Sequence, residues 1–79
     1  MDKDILNRVN IIFQDVLAQP NLKLNVSDNA ATIEGWDSLN HIYLITEIQK
    51  EFSIKFSIQE VRSIDKISSL LGLINEKLN

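Results

Sequence analysis

Serine, aspartate and histidine fall close together near the middle of this chain, and their spacing limits what they can do. Ser38 follows Asp37 and precedes Leu39, and His41, the single histidine, stands three residues further on. Residues three apart are neighbours on a helix. A nucleophile–base pair also needs a group to orient the base and donors for an oxyanion, and the sequence offers neither. A small hydrolase built on Ser38 and His41 is therefore excluded, and no residue is assigned a catalytic role. His41 is expected to be solvated or to act as a cap. Taken alone, Asp37 and Ser38 read as a helix cap, because both side chains accept hydrogen bonds from first-turn amides. With no cysteine and one histidine, there is no disulfide framework, no Cys-based zinc site and no His cluster to hold a metal.

The elements that position these residues must come from a short chain. It has 79 residues, a hydrophobic share of 44% and a formal charge of −3, from 8 basic against 11 acidic side chains. That suffices for one small core, so a single domain over residues 1–79, monomeric, is expected. The acidic balance argues against nucleic acid or an anionic membrane as partner, since both select a basic patch. No run approaches 18 apolar residues, and MDKDILNRVN lacks the basic start and apolar stretch of a signal peptide. A cytoplasmic location is therefore expected.

Ile5, Leu6, Val9, Ile12, Phe13, Val16 and Leu17 recur at helical spacing and predict a first helix over residues 3–18. Asp2 and Asp4 complement its N-terminus, and Pro20 disfavours helix at Gln19. Residues 19–37 lose that period, yet Leu22, Leu24, Val26, Ile33 and Trp36 suggest an ordered crossover pinned to the core. Trp36 is expected to anchor it against the bundle. A second helix runs from Ser38 to Phe52, with Leu39, Ile42, Ile45, Ile48 and Phe52 as its stripe and Leu44 beside it. Ser57 and Glu60 have capping-box spacing for a single-turn helix over residues 58–62. Asp65 is expected to cap a last helix carrying Ile67, Leu70, Leu71, Ile74 and Leu78, which Gly72 weakens by roughly 1 kcal/mol. No segment alternates, so the fold class is all-α: a four-helix bundle of three longer helices and one short third helix, with a long loop between the first two.

In this setting Asp-Ser-Leu gains meaning. From about Ile5 to Leu78 the chain resembles the acyl carrier protein family, a four-helix bundle with its Asp-Ser-Leu at the start of the second helix. The apolar register at Leu39, Ile42, Leu44, Ile45, Ile48 and Phe52 matches the family's, as do Phe56, Ile64, Ile67, Leu70, Leu71 and Ile74. The resemblance implies that Ser38 accepts 4′-phosphopantetheine from coenzyme A, through a phosphopantetheinyl transferase that uses magnesium. It implies that Asp37 helps position that metal, and that Leu39, Ile42, Tyr43 and Glu47 meet acyl- or aminoacyl-loading and acyl-transferring enzymes. A helix N-terminus favours a phosphodiester, and a chain without cysteine leaves the arm's thiol unrivalled. Cargo chemistry would depend on the space between helices two, three and four, with Ile54, Phe56, Ile58, Val61 and Ile64 expected to border it.

The chain departs from fatty-acid carriers in its second helix. SLNHIYLIT, residues 38–46, carries no formal charge, with Asn40 and Tyr43 where the family often has acids and Gln49 and Lys50 further along. Asp37, Glu47 and Glu51 remain. This points away from bulk fatty-acid synthesis and toward a dedicated polyketide, peptide or polysaccharide pathway. The competing function is a helical interaction module whose Ser38 is never modified, with helix two as its docking face.

Overall fold

A helix forms where an apolar stripe repeats every 3.6 residues or where its ends find partners, and four segments do so. The computed structural model describes residues 2–79, with side chains from residue 4 onward. The helices are α1 (Asp2–Val16), α2 (Ser38–Phe52), α3 (Ile58–Ser63) and α4 (Ile67–Leu78). Among the described residues there is no strand, only an isolated bridge between Asn29 and Lys66. The architecture is the expected four-helix bundle with a long first connection. The role expected of Asp2 falls on a side chain outside those described.

Helix α1 stops earlier than the expected residue 18. Ala18 takes a left-handed φ of 54°. The amides of Ala18 and Gln19 then turn back to the carbonyls of Asp15 and Gln14, at 3.3 and 2.9 Å. This double closure satisfies the last-turn carbonyls two residues before Pro20 acts. Helix α2 ends the same way: Ser53 has φ 55°, and Ile54 N donates to Gln49 O at 3.1 Å.

The core gathers Ile5, Val9, Ile12 and Phe13 of α1, Leu44, Ile45, Ile48 and Phe52 of α2, and Ile67, Leu70 and Ile74 of α4. Helix α1 packs on both α2 and α4. The buried stripe of α2 is therefore 44, 45, 48 and 52. Ile45, Ile48 and Phe52 are buried as expected, whereas Leu39 and Ile42, expected on the same stripe, are exposed, and Leu44 takes the buried place nearer the N-terminus.

The crossover is ordered by α1. Asn10 donates to Leu22 O at 3.0 Å and accepts from Leu24 N at 2.7 Å, while Gln14 also donates to Leu22 O at 2.9 Å. Leu24, Ile33 and Trp36 are buried as expected. Val26 is not: half of it is exposed, and it is the backbone that ties it to the bundle, its carbonyl accepting from Ser68 N at 2.9 Å. Ile67 N likewise donates to Asp28 O at 2.9 Å. These two carbonyls cap α4. The expected cap, Asp65, instead accepts from Ser69 Oγ at 3.2 Å, and the N-cap position falls on Lys66, which makes no side-chain cap.

Helix α3 has six residues and buries none of them. Its capping box is complete, with Ser57 Oγ accepting from Glu60 N at 3.1 Å and Glu60 Oε1 accepting from Ser57 N at 2.8 Å. Lys77 of α4 adds a 3.0 Å ion pair to Glu60. The Ser57 amide, and after it Lys77, hold the Glu60 carboxyl below its ordinary range.

Candidate functional site

The approach to Ser38 is built by a turn. Gly35 takes φ 87°, a left-handed conformation suited to glycine. Its carbonyl accepts from Asn40 Nδ2 at 2.8 Å and from Asp37 N at 3.0 Å. The turn is tied to the end of α1 by Gln19 Nε2, which donates to Glu34 O at 2.6 Å. Asp37 is then extended (φ −117°, ψ −176°), and its Oδ1 accepts from Asn40 N at 2.9 Å. Asp37 O accepts from His41 N at 2.8 Å. Asp37 is thus the N-cap, and Ser38 is the first residue of α2, exposed to solvent. The cap uses the third and fourth amides of the helix and leaves those of Ser38 and Leu39 directed outward at the positive end of the helix dipole.

Trp36 holds this turn down. Only 5% of it is exposed, and its ring stands edge-on to Phe13, with centroids 5.1 Å apart at 88°. Its Nε1–H donates to His41 Nδ1 at 3.0 Å, and the two rings lie stacked at 6.1 Å. His41 Nε2 lies 2.9 Å from Val61 O. An indole N–H can only donate and a carbonyl can only accept, so Nδ1 is bare and Nε2 carries the proton. The sequence suggested a solvated or capping His41, and it is neither. It is a half-buried link among crossover, α2 and α3, and both ring nitrogens are taken, so it has none left to activate Ser38. The sequence held no sign of this, since Val61 is twenty positions away.

Beside Ser38 lies an open cleft of about 560 Å³. Ala30, Trp36, Ile42, Val61 and Ile64 make it largely apolar, and Asp37, Arg62 and Asp65 stand at it as charged members. Of the residues expected to border a cargo space, Val61 and Ile64 line this cleft. Ile54 and Phe56 pack instead on the core, and Ile58 is 74% exposed. Leu39, Ile42 and Tyr43 are all more than half exposed on one end of α2. Glu47 lies a turn beyond Tyr43, 3.5 Å from Lys50. Tyr43 and Glu47 also line a second groove of about 460 Å³, shared with Ile12, Asp15 and Val16 of α1. Among the described residues, no group of side chains could hold a metal ion, and no helix is long and apolar enough to cross a membrane.

No protein-family model matches the chain, and no curated protein matches it. Among solved structures, it is similar to the holo acyl carrier protein from Geobacter metallireducens. The likeness has a TM-score of 0.85 at 30% identity and covers 94% of this chain and 85% of that one. The chain belongs to the acyl carrier protein family. The likeness supports a carrier role rather than a catalytic one.

Proposed function

We propose that this protein carries an acyl or aminoacyl group as a thioester on a 4′-phosphopantetheine arm attached to Ser38, and delivers it to partner enzymes. One observation carries the reading: Ser38 is an exposed hydroxyl on the first residue of α2, fixed by the Asp37 cap and bordering an apolar cleft. The residues suit the arm. Outward first-turn amides and the helix dipole favour the phosphodiester. The cleft offers apolar cover to the pantetheine and its cargo. The neighbouring carrier is described as holo, which agrees with such an arm. In loading, the Ser38 Oγ–P bond forms as the pyrophosphate link of coenzyme A breaks, the adenosine bisphosphate leaves with the electron pair, and the hydroxyl proton of Ser38 passes to a base of the transferase. Asp37 keeps one carboxylate oxygen for its cap, leaving the other for the magnesium that the transferase brings.

Leu39, Ile42 and Tyr43 form the partner-facing patch, with Glu47 at its edge. The partners are a phosphopantetheinyl transferase and the enzymes that load and transfer the acyl group. The uncharged first half of α2 favours a dedicated pathway, with the protein acting as a single cytoplasmic carrier domain, monomeric. Tethering raises the local concentration of cargo at each docked enzyme. Incubation with coenzyme A and a promiscuous transferase, with intact mass as the readout, tests this. The wild type should gain the phosphopantetheine mass and Ser38→Ala should not. A wild type that gains nothing would favour an unmodified interaction module, and a loaded alanine variant would move the site elsewhere.

A further inference from the structure

Helix α3 is the least anchored element of the bundle. None of its residues is fully buried, its six residues are shorter than two turns, and Val61 alone packs part of its side chain on the core. Among the described residues, two polar links add to that contact: the Glu60–Lys77 ion pair at one side, and the His41–Val61 O hydrogen bond on the side of Ser38. Only the second link reaches α2. Val61 and Arg62 of α3 line the cleft that Ser38 and Ile42 of α2 also line, and His41 stands in that same lining. An apolar cargo tethered at Ser38 gains by leaving water. It can lie in the open cleft, or it can part α2 from α3 and go deeper. The second course breaks the His41–Val61 bond. His41 is unusually firm for this task, because Trp36, itself locked on Phe13, fixes the tautomer that places the proton on Nε2.

We propose that His41 is a positioning residue that latches α3 to α2 beside Ser38, and so keeps a long acyl chain in the open cleft and out of the space between the two helices. This rests on the carrier reading of Ser38. The latch predicts a chain-length effect that a residue important only for folding would not produce. Glutamine places an N–H at about the reach of Nε2 and can still donate to Val61 O. Asparagine places an acceptor at about the reach of Nδ1 and cannot span to Val61.

The test loads acetyl- and tetradecanoyl-phosphopantetheine onto the full chain from the corresponding coenzyme A thioesters, with a promiscuous transferase, and monitors loading by intact mass. Thioester cleavage by hydroxylamine is then timed. In the wild type and in His41→Gln the two thioesters should react at rates within twofold of each other. In His41→Asn the tetradecanoyl thioester should become at least fivefold slower than the acetyl one, as α3 yields and the chain is buried. Circular dichroism of each loaded protein checks that the helices persist. Protection of the long chain already in the wild type, or equal behaviour of the asparagine and glutamine variants, would overturn the latch while leaving the carrier reading intact. Failure of the wild type to gain mass would overturn the carrier reading itself, and the latch with it.

Discussion

Truncating the exposed patch of α2 should weaken partner docking more than neutralising its acid. Leu39 is 66% exposed and Tyr43 is 54% exposed. Full burial of a leucine side chain is worth about 1.5–3 kcal/mol, so covering the exposed two thirds of Leu39 is worth about 1–2 kcal/mol. Leu39→Ala keeps Cβ and should lose about 1 kcal/mol, a five- to tenfold fall in affinity. Glu47 already faces Lys50 at 3.5 Å and is half exposed. Rim charges of this kind contribute about 0.2–1 kcal/mol and are screened, so Glu47→Gln should change affinity by about twofold or less. Titration calorimetry of the unloaded carrier with its cognate phosphopantetheinyl transferase measures both. Run at about 0.01 M and 0.15 M salt, it spans screening lengths from about 30 to 8 Å, and wild-type affinity should change little. A steep salt dependence together with a Glu47→Gln effect larger than that of Leu39→Ala would refute the apolar account of docking.

Two further outcomes concern the scaffold. Ser53 closes α2 in a left-handed conformation that costs an L-residue about 1–2 kcal/mol, so Ser53→Gly should stabilise the fold by about 0.5–1 kcal/mol after glycine's greater unfolded entropy is subtracted. Thermal melts should rise by about 2–8 °C, and a fall would show that the Ser53 side chain contributes something its geometry hides. Glu60 has a carboxyl held low in the folded state, so its contribution is complete above the ordinary carboxylate range and fades as pH falls through its depressed value. Glu60→Gln should therefore lower the melting temperature near pH 7 and flatten its decline between about pH 5 and 3, and an unchanged acid slope would remove Glu60 from the account.

What the sequence disclosed was mostly what depends on near neighbours. The apolar period placed α2 at its observed bounds, and the spacing of Ser57 and Glu60 foretold the capping box, because both act within one or two turns. The position of Ser38 at the head of α2 was legible for the same reason. Bonds between distant residues were not. Asp65 looked like the cap of α4, but carbonyls of the crossover reached those amides first. His41 looked idle because Trp36 and Val61 meet it only once α2 and α3 are assembled. Leu39 fell on the helical stripe of α2 and yet was expected to face partners, and its exposure agrees with the second reading, because a helical stripe gives a period and leaves its phase to packing. Ala18 could stop α1 early because a left-handed residue without glycine gives no compositional warning.

The capping of α4 by the crossover has a kinetic consequence. The amides of Ile67 and Ser68 are satisfied by the carbonyls of Asp28 and Val26, across a separation of about forty residues. The first turn of α4 therefore gains its cap only through a long-range closure, whereas Asp37 caps α2 from next door. Helices complete in microseconds or less, whereas such closure must overcome chain entropy before its contacts reward it. The crossover, although it has no regular structure, is then expected to close late in folding, and lengthening it near Ser27 should slow the docking of α4 more than it disturbs the pairing of α1 with α2.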